Sequence, residues 1–395
     1  MIAVERPREQ FNIVKWLRTN LFNTWFNTLL TLVSLVLLYV VLRPLLNWIF
    51  SDANWQVVTA NLRVFMVGTF PVEQLWRIWL CVGLAATLLG LSWGVWPNVL
   101  RGIALIYASV LIFLALLPFS VPSRLILAAC GVVIFVGMFL ARRAVGVERL
   151  NVGRWVAISW LIFLPLVLYL LRGMGLVLPI ITPNQWGGLL LTLVLAISGI
   201  VFSFPLGVLL AIGRRSSLPA FSLFCTGYIE LIRGVPLITV LFMTQVMLPL
   251  FIPGGESIDR VLRAIVGFTL FTAAYIAEHV RGGLHAIPRG QHEAAKALGL
   301  NPFMTMGMII LPQALRLVIP ANVSQFISLF KDTSLVVVAS LLDLLGIGKS
   351  VLAQQEFLGL QTEVYLFIGA VYWIFAYSLS HVSRRLEETL GVGHR

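Results

Sequence analysis

The chain has 395 residues, 59% apolar and only 11% charged, and its 28 Lys and Arg against 16 Asp and Glu give a formal net charge of +12. A mean hydropathy of +0.96 excludes a soluble globular domain, which would lack the polar surface to cover itself, and indicates an all-α polytopic membrane protein whose helices satisfy their own backbone. The positive charge is not interleaved with aromatic residues as a nucleic-acid surface would be, so no nucleic acid is expected as a partner.

Apolar stretches of roughly 18 or more residues predict about ten transmembrane helices, near 24–45, 74–94, 101–119, 124–141, 154–172, 187–213, 222–250, 261–281, 309–331 and 364–383. Met1 to Asn20 is mixed-charge and amphipathic, without the short apolar core and small-residue cleavage site of a signal peptide, so the first span is expected to direct its own insertion. With a cytoplasmic N-terminus, Arg6, Arg8, Lys15, Arg18, the dense run Arg142, Arg143, Arg149 and Arg154, the pair Arg214 and Arg215, and Arg384, Arg385 and Arg395 all fall inside. Both termini are therefore expected in the cytoplasm, and the charge also attracts anionic membrane lipid. Cys81, Cys130 and Cys225 each stand alone in an apolar run and read as packing residues. A division is expected near Thr182-Pro183-Asn184, giving an N-terminal membrane region, 1–183, and a second region, 184–395, with five spans each.

Within the second region the apolar pattern breaks between Ile287 and Pro312. Pro288 suits a first helical position, Gln291 to Leu298 are mostly good helix formers, and Gly299 can end the helix in a left-handed conformation. Asn301 suits an N-cap with Pro302 following it, so a second helix should leave at an angle. Ala294 and Ala295 read as small residues on one face that would let a foreign surface approach, with Glu293 and Lys296 supplying polar contacts. A bent helix pair of this kind, the loop 285–305, suits docking into a cleft. Leu335 to Ile347 is too short to cross and is expected as a partly inserted helix on the outer side.

Two chemical motifs fail on inspection. His292-Glu293-Ala-Ala-Lys296 imitates a zinc-protease sequence, but an ammonium cannot replace the second metal ligand. Gly346-Ile-Gly348-Lys349-Ser350 imitates the end of a P-loop, but Asp343 stands where the first glycine must be. His381 and His394 have no ligand-like neighbours in sequence. No catalytic residue, metal or cofactor is expected in this chain. Charges within spans need partners or a wet path; Glu230 with Arg233 and Glu278 with Arg281 are spaced for ion pairs near the inner end, while Arg316, Lys331 and Asp332 have no such spacing.

Glu293-Ala294-Ala295, Gly299, Ile309 and Leu311-Pro312 are similar, in register, to the E-A-A-x3-G-x9-I-x-L-P signature of the permease subunits of binding-protein-dependent ABC importers. From Trp186 onward the chain resembles the five-span polar amino-acid permeases of the histidine, glutamine and arginine type. That resemblance rests also on Gly188 to Thr192, Tyr228 to Pro236, Ala277 to Gly283 and Leu329 to Leu335, with His279 at a usually apolar position. Residues 1–183 resemble only the extra spans of the long permeases of general L-amino-acid uptake. The resemblance implies half of a translocation path for L-amino acids across a bacterial inner membrane. It also implies a second related permease, a heterodimer being expected, and a periplasmic amino-acid-binding protein. A cytoplasmic ATPase dimer carrying ATP and Mg2+ would engage Glu293, Ala294, Ala295 and Gly299. Gln325, Ser328, Lys331, Asp332 and Thr333, further out, are then candidates to line the path. Two rival readings are a five-plus-five inverted-repeat secondary transporter and a membrane scaffold or assembly protein.

The side assignments make a testable statement. A cysteine at Ser217 should react only with reagents that reach the cytoplasm, and one at Gly255 only with impermeant reagents added outside; the reverse pattern would overturn them.

Overall fold

The computed structural model describes residues 13–146, 151–175, 177–251 and 258–390. Arg6, Arg8, Arg149, Gly255, His394 and Arg395 lie outside the described residues. Up to Trp55 the chain is a unit by itself. It holds α1 (Ile13–Asn20) and α2 (Trp25–Asn47), the latter capped by Thr24, whose hydroxyl accepts the Asn27 N–H at 3.2 Å, and continued by a π-helical turn over Trp48–Asp52. α2 is apolar all round and buries none of its side chains, the character of a helix that faces lipid. Its one charge, Arg43, donates to the Tyr39 hydroxyl at 2.9 Å one turn back.

From Gln56 onward the chain forms a second unit. Its helices are α3 (Gln56–Val67), α4 (Leu75–Val95), α5 (Pro97–Leu116), α6 (Val121–Gly146), α7 (Val152–Arg172), α8 (Gly188–Arg214), α9 (Pro219–Gly234), α10 (Leu237–Val246), α11 (Arg260–Ala286), α12 (Arg289–Ala297), α13 (Pro302–Met304), α14 (Leu311–Asp332), α15 (Leu344–Leu352) and α16 (Gln361–Leu390). A π-helical stretch, Thr305–Ile310, joins α13 to α14.

Each expected span has its counterpart. Among the described residues eight helices are long and apolar enough to cross a membrane; α9 and α10 reach that length only together and are bent by 109° where they join, as in a broken span or a re-entrant loop, and Leu100–Leu116 is a shorter apolar helix. The bend follows from local chemistry: Gly234 ends α9, Val235 is held extended by the proline after it, and Pro236 has no N–H to continue the helix.

Two elements depart from the sequence reading. α3, with Asn61 and Arg63 breaking its apolar run, was not among the expected spans; it is a short helix whose Val57 and Phe65 are fully buried. The outer segment is not one helix over 335–347 but a 3-10 turn, Thr333–Ala339, a left-handed Ser340 (φ 55°), and then α15. Asp343 sets the start of α15: fully buried, it accepts the N–H groups of Gly346 at 2.9 Å and Leu345 at 3.2 Å and the Tyr372 hydroxyl at 3.1 Å. Burial pushes the Asp343 carboxyl above its ordinary range, and these three donors pull it back. The Gly346 to Ser350 run is thus the body of a capped helix.

Among the described residues three apolar clusters hold the second unit together. Ala86, Trp93, Ala108, Leu127 and Ile134 join α4, α5 and α6. Phe70 and Leu171 pack with Leu191, Leu195, Leu241, Phe268 and Leu329, so residues of the N-terminal region share a core with α8, α10, α11 and α14. Leu210, Cys225, Ile276, Val280 and Ala314 form the third, at the end where α12 emerges. α8 and α11 touch closely because Gly207 has no side chain: a Cβ there would stand 2.7 Å from Ile276 Cβ. Arg77, fully buried at the start of α4, donates to Gln74 Oε1 at 2.9 Å and to the carbonyls of Leu170 at 3.3 Å and Pro179 at 3.0 Å, and so ties α4 to the end of α7.

Candidate functional site

The polar turn at the end of α11 forms as its residues dictate, with one shift. Pro288 is the N-cap of α12, one position before the first helical place expected for it. α12 closes with the Gly299 N–H on the Lys296 carbonyl at 3.0 Å and the Leu300 N–H on the Ala295 carbonyl at 3.1 Å, while Gly299 takes φ +75°. That pair of bonds is the left-handed helix stop for which glycine is the usual residue. Asn301 then caps α13 by accepting the Met304 N–H at 2.8 Å, with Pro302 at the first position. Gln313 on α14 donates to Gln291 Oε1 at 3.1 Å and fastens the turn to the body.

The two alanines do not share a face. Ala295 is buried at 3% exposure whereas Ala294, about 100° further round the helix, is exposed with Glu293 and Lys296. The expectation that both offer a small surface to a partner is corrected: Ala295 packs inward, where a larger side chain would lift α12 off the protein. Two apolar residues unremarked in the sequence stand out instead, Leu298 at 79% and Phe303 at 87% exposure, on either side of the Gly299 stop. Their signal was the apolar residue flanking each end of the Gly-x-Asn-Pro stretch.

Deeper along the same end lies a charged cluster. Glu278 on α11 accepts from Arg281 Nε at 3.0 Å and from its Nη2, and from Arg214 Nη1 at 3.3 Å; Arg233 Nη1 stands 3.6 Å away. Glu230 accepts from Arg214 Nη2 at 3.0 Å but lies 4.0 Å from Arg233, so the expected i,i+3 pair on α9 is the weaker of its contacts. The structure brings together Glu230, Arg233, Glu278 and Arg281, and adds Arg214, which the sequence presented only as a basic residue at a span end. Glu278 is the less exposed acid, at 22% against 55% for Glu230.

The outer residues separate. Gln325 and Ser328 are half-buried on α14, Lys331 is exposed and Asp332 half-buried at its end. Thr333 is fully buried, its hydroxyl donating to the Phe330 carbonyl at 2.7 Å and lying 3.5 Å from that of Tyr372. Among the described residues no ion pair joins Lys331 to Asp332, because neighbours on a helix point apart. Arg316 is exposed near the start of α14, beside a cavity of about 370 Å³ lined also by Phe204, Asn322 and Phe326; His279 Nδ1 lies 3.1 Å from Asn322 Oδ1. Among the described residues no cluster of His, Cys, Asp and Glu has the arrangement of a metal site.

Residues 203–390 match the family described as the binding-protein-dependent transport system inner membrane component. Over 394 residues the chain is 40% identical to the inner membrane amino-acid ABC transporter permease protein YhdY of Escherichia coli K12, covering 96% of this chain and 93% of that protein. The chain belongs to this permease family. It is 36% identical to the glutamate/glutamine/aspartate/asparagine transport system permease protein BztC of Rhodobacter capsulatus, covering 98% of this chain and 96% of that one. A shorter relative, the glutamate/aspartate import permease protein GltK of Escherichia coli O6:H1, is 37% identical over 203 residues, which are 50% of this chain but 89% of GltK. A multi-pass permease subunit of an ABC importer is therefore what the chain is, and neither the secondary-carrier nor the scaffold reading is favoured.

The two acids of the cluster should differ. Glu278→Gln leaves several guanidinium donors facing a neutral amide and should lower thermal stability by about 1–3 kcal/mol. Glu230→Gln, at an exposed position, should cost under about 1 kcal/mol. Melting of the detergent-purified variants compares them, and equal losses would show that Glu278 is not the hub.

Proposed function

We propose that this permease forms half of the membrane path of an ATP-driven amino-acid importer and docks a separate ATPase through α12. The docking reading is carried by the turn itself: α12 and α13 protrude at a left-handed stop, with Ala294, Leu298 and Phe303 outward and Ala295 anchoring the turn from behind. Glu293, Ala294, Gly299, Leu298 and Phe303 make the contact surface in this reading, and Ala295 sets its height. The amino-acid cargo is supported by the names of the full-length relatives. In the proposed cycle a periplasmic binding protein delivers the amino acid, a second related permease completes the cavity in a heterodimer, and a dimeric ATPase holding ATP and Mg2+ rocks the helices. The bacterial inner membrane with both termini cytoplasmic is the proposed location, with α12 on the cytoplasmic side. Residues 184–395 are the proposed permease domain and 1–183 an added membrane region. The pairs of Glu230, Arg233, Glu278 and Arg281 brace the inner ends of α8 and α11 against the last turn of α9 as that rocking proceeds. Gln325, Ser328, Lys331 and Asp332 line the outer path in this reading, with Thr333 behind them as packing.

Gly299→Val tests the coupling. Nothing lies within 4 Å of a Cβ at this site, so the added Cβ meets open space and the cost falls on the left-handed backbone, by about 1–2 kcal/mol. Insertion and yield should stay normal while uptake falls and ATP hydrolysis loses its stimulation by binding protein; normal uptake and normal stimulation in this variant would sink the proposal.

Asp332→Asn tests the path. With no ion pair to Lys331 to break, yield and ATP hydrolysis should be retained and uptake should fall to an extent that depends on the amino acid. Wild-type uptake of every amino acid assayed in reconstituted vesicles would remove Asp332 from the path.

A further inference from the structure

Between α5 and α16 runs an open apolar crevice of about 440 Å³, lined by Ile106, Val110 and Phe113 on one side and Ile374, Tyr377 and His381 on the other. Beyond the crevice Gly102 of α5 lies against Arg385 of α16, one turn past His381. The crevice is not uniformly oily. His381 and the Tyr377 hydroxyl, both lining it, have no hydrogen-bond partner among the described residues, and Tyr377 is 52% exposed with its ring stacked on Trp373. One turn beyond His381, about 6 Å along the helix, the Arg385 side chain lies across α5, its Cδ 3.3 Å from where a Cβ on Gly102 would stand. Arg101 and Arg384, the sequence neighbours of these two residues, are exposed. An apolar slot, then a phenol and an imidazole able to donate, then guanidinium groups follow in the order in which a phospholipid presents its acyl chain, its ester and phosphate oxygens, and its negative charge.

We infer that the α5–α16 crevice binds an anionic glycerophospholipid, which seals the seam between a helix of the N-terminal region and the last helix of the permease core. The acyl chain fills the slot beside Val110 and Ile374, Tyr377 and His381 donate to ester and phosphate oxygens, and Arg385 with Arg101 holds the phosphate charge. Clustered basic residues at a membrane interface select anionic over zwitterionic lipid, each arginine contributing a factor of about five.

The full chain, co-purified with its transport partners and stripped of lipid in neutral detergent, is titrated with palmitoyl-oleoyl phosphatidylglycerol or the matching phosphatidylcholine and read by native mass spectrometry. Phosphatidylglycerol should be retained about twenty-five-fold more tightly, the product of the two arginines' factors. Arg385→Gln should lower that preference about fivefold, Val110→Trp should abolish retention, and Tyr377→Phe, which removes only an exposed hydroxyl and leaves folding intact, should weaken it severalfold even if the tryptophan variant fails to assemble. Equal retention of the two lipids, or retention unchanged by Arg385→Gln and Tyr377→Phe, overturns the proposal. So does a photo-crosslinker at Ser109 that captures another polypeptide in place of a lipid.

Discussion

A carboxylate roughly two turns inside the end of α11 is the point on which the α12 end of this permease turns. Glu278 draws guanidinium groups from the end of α8, the last turn of α9 and its own helix to within 4.0 Å. The arginines repel one another, so their gathering rests on the acids, and chiefly on Glu278, the less exposed of the two. The cluster therefore does by electrostatics what the Gly207–Ile276 approach does by shape: it fixes α8 against α11 and leaves α9, with its broken continuation into α10, held at one end. The protruding turn follows directly after this braced end, and a push on α12 is delivered to helices that cannot slide independently.

What could be read from the sequence was what local chemistry decides. The stop at Gly299, the Asn301 cap and the positions of the spans depend on residues close together along the chain, and all have counterparts in the structure. Whatever depended on partners distant in sequence was hidden. Arg214 looked like a charge at a span end because its acids lie 16 and 64 positions away. Ala295 turned inward because α12 lies against the π-helical approach to α14, a contact that small size alone did not disclose. The start of α15 was hidden because Asp343, its cap, has the sequence look of a broken phosphate loop, and its third donor, Tyr372, comes from 29 positions on. The candidate path residues were the least legible, since a half-buried polar side chain on a helix has the same sequence signature whether it meets a solute or a neighbouring helix.

The N-terminal region is bound into the whole from Gln56 onward by apolar packing, with α3 buried against the start of the permease core and Phe70 and Leu171 inside its largest cluster. Its charged anchor, Arg77, has a consequence for how the protein is made. Two of its acceptors, the carbonyls of Leu170 and Pro179, lie 93 and 102 positions later in the chain. When α4 leaves the ribosome they do not yet exist, and the guanidinium has only Gln74, on the same turn, to bond. A charge in a span is costly without partners, so α4 reaches its full set of bonds only after α7 and the segment behind it have been made, and this corner of the fold is closed from the far side of the N-terminal region.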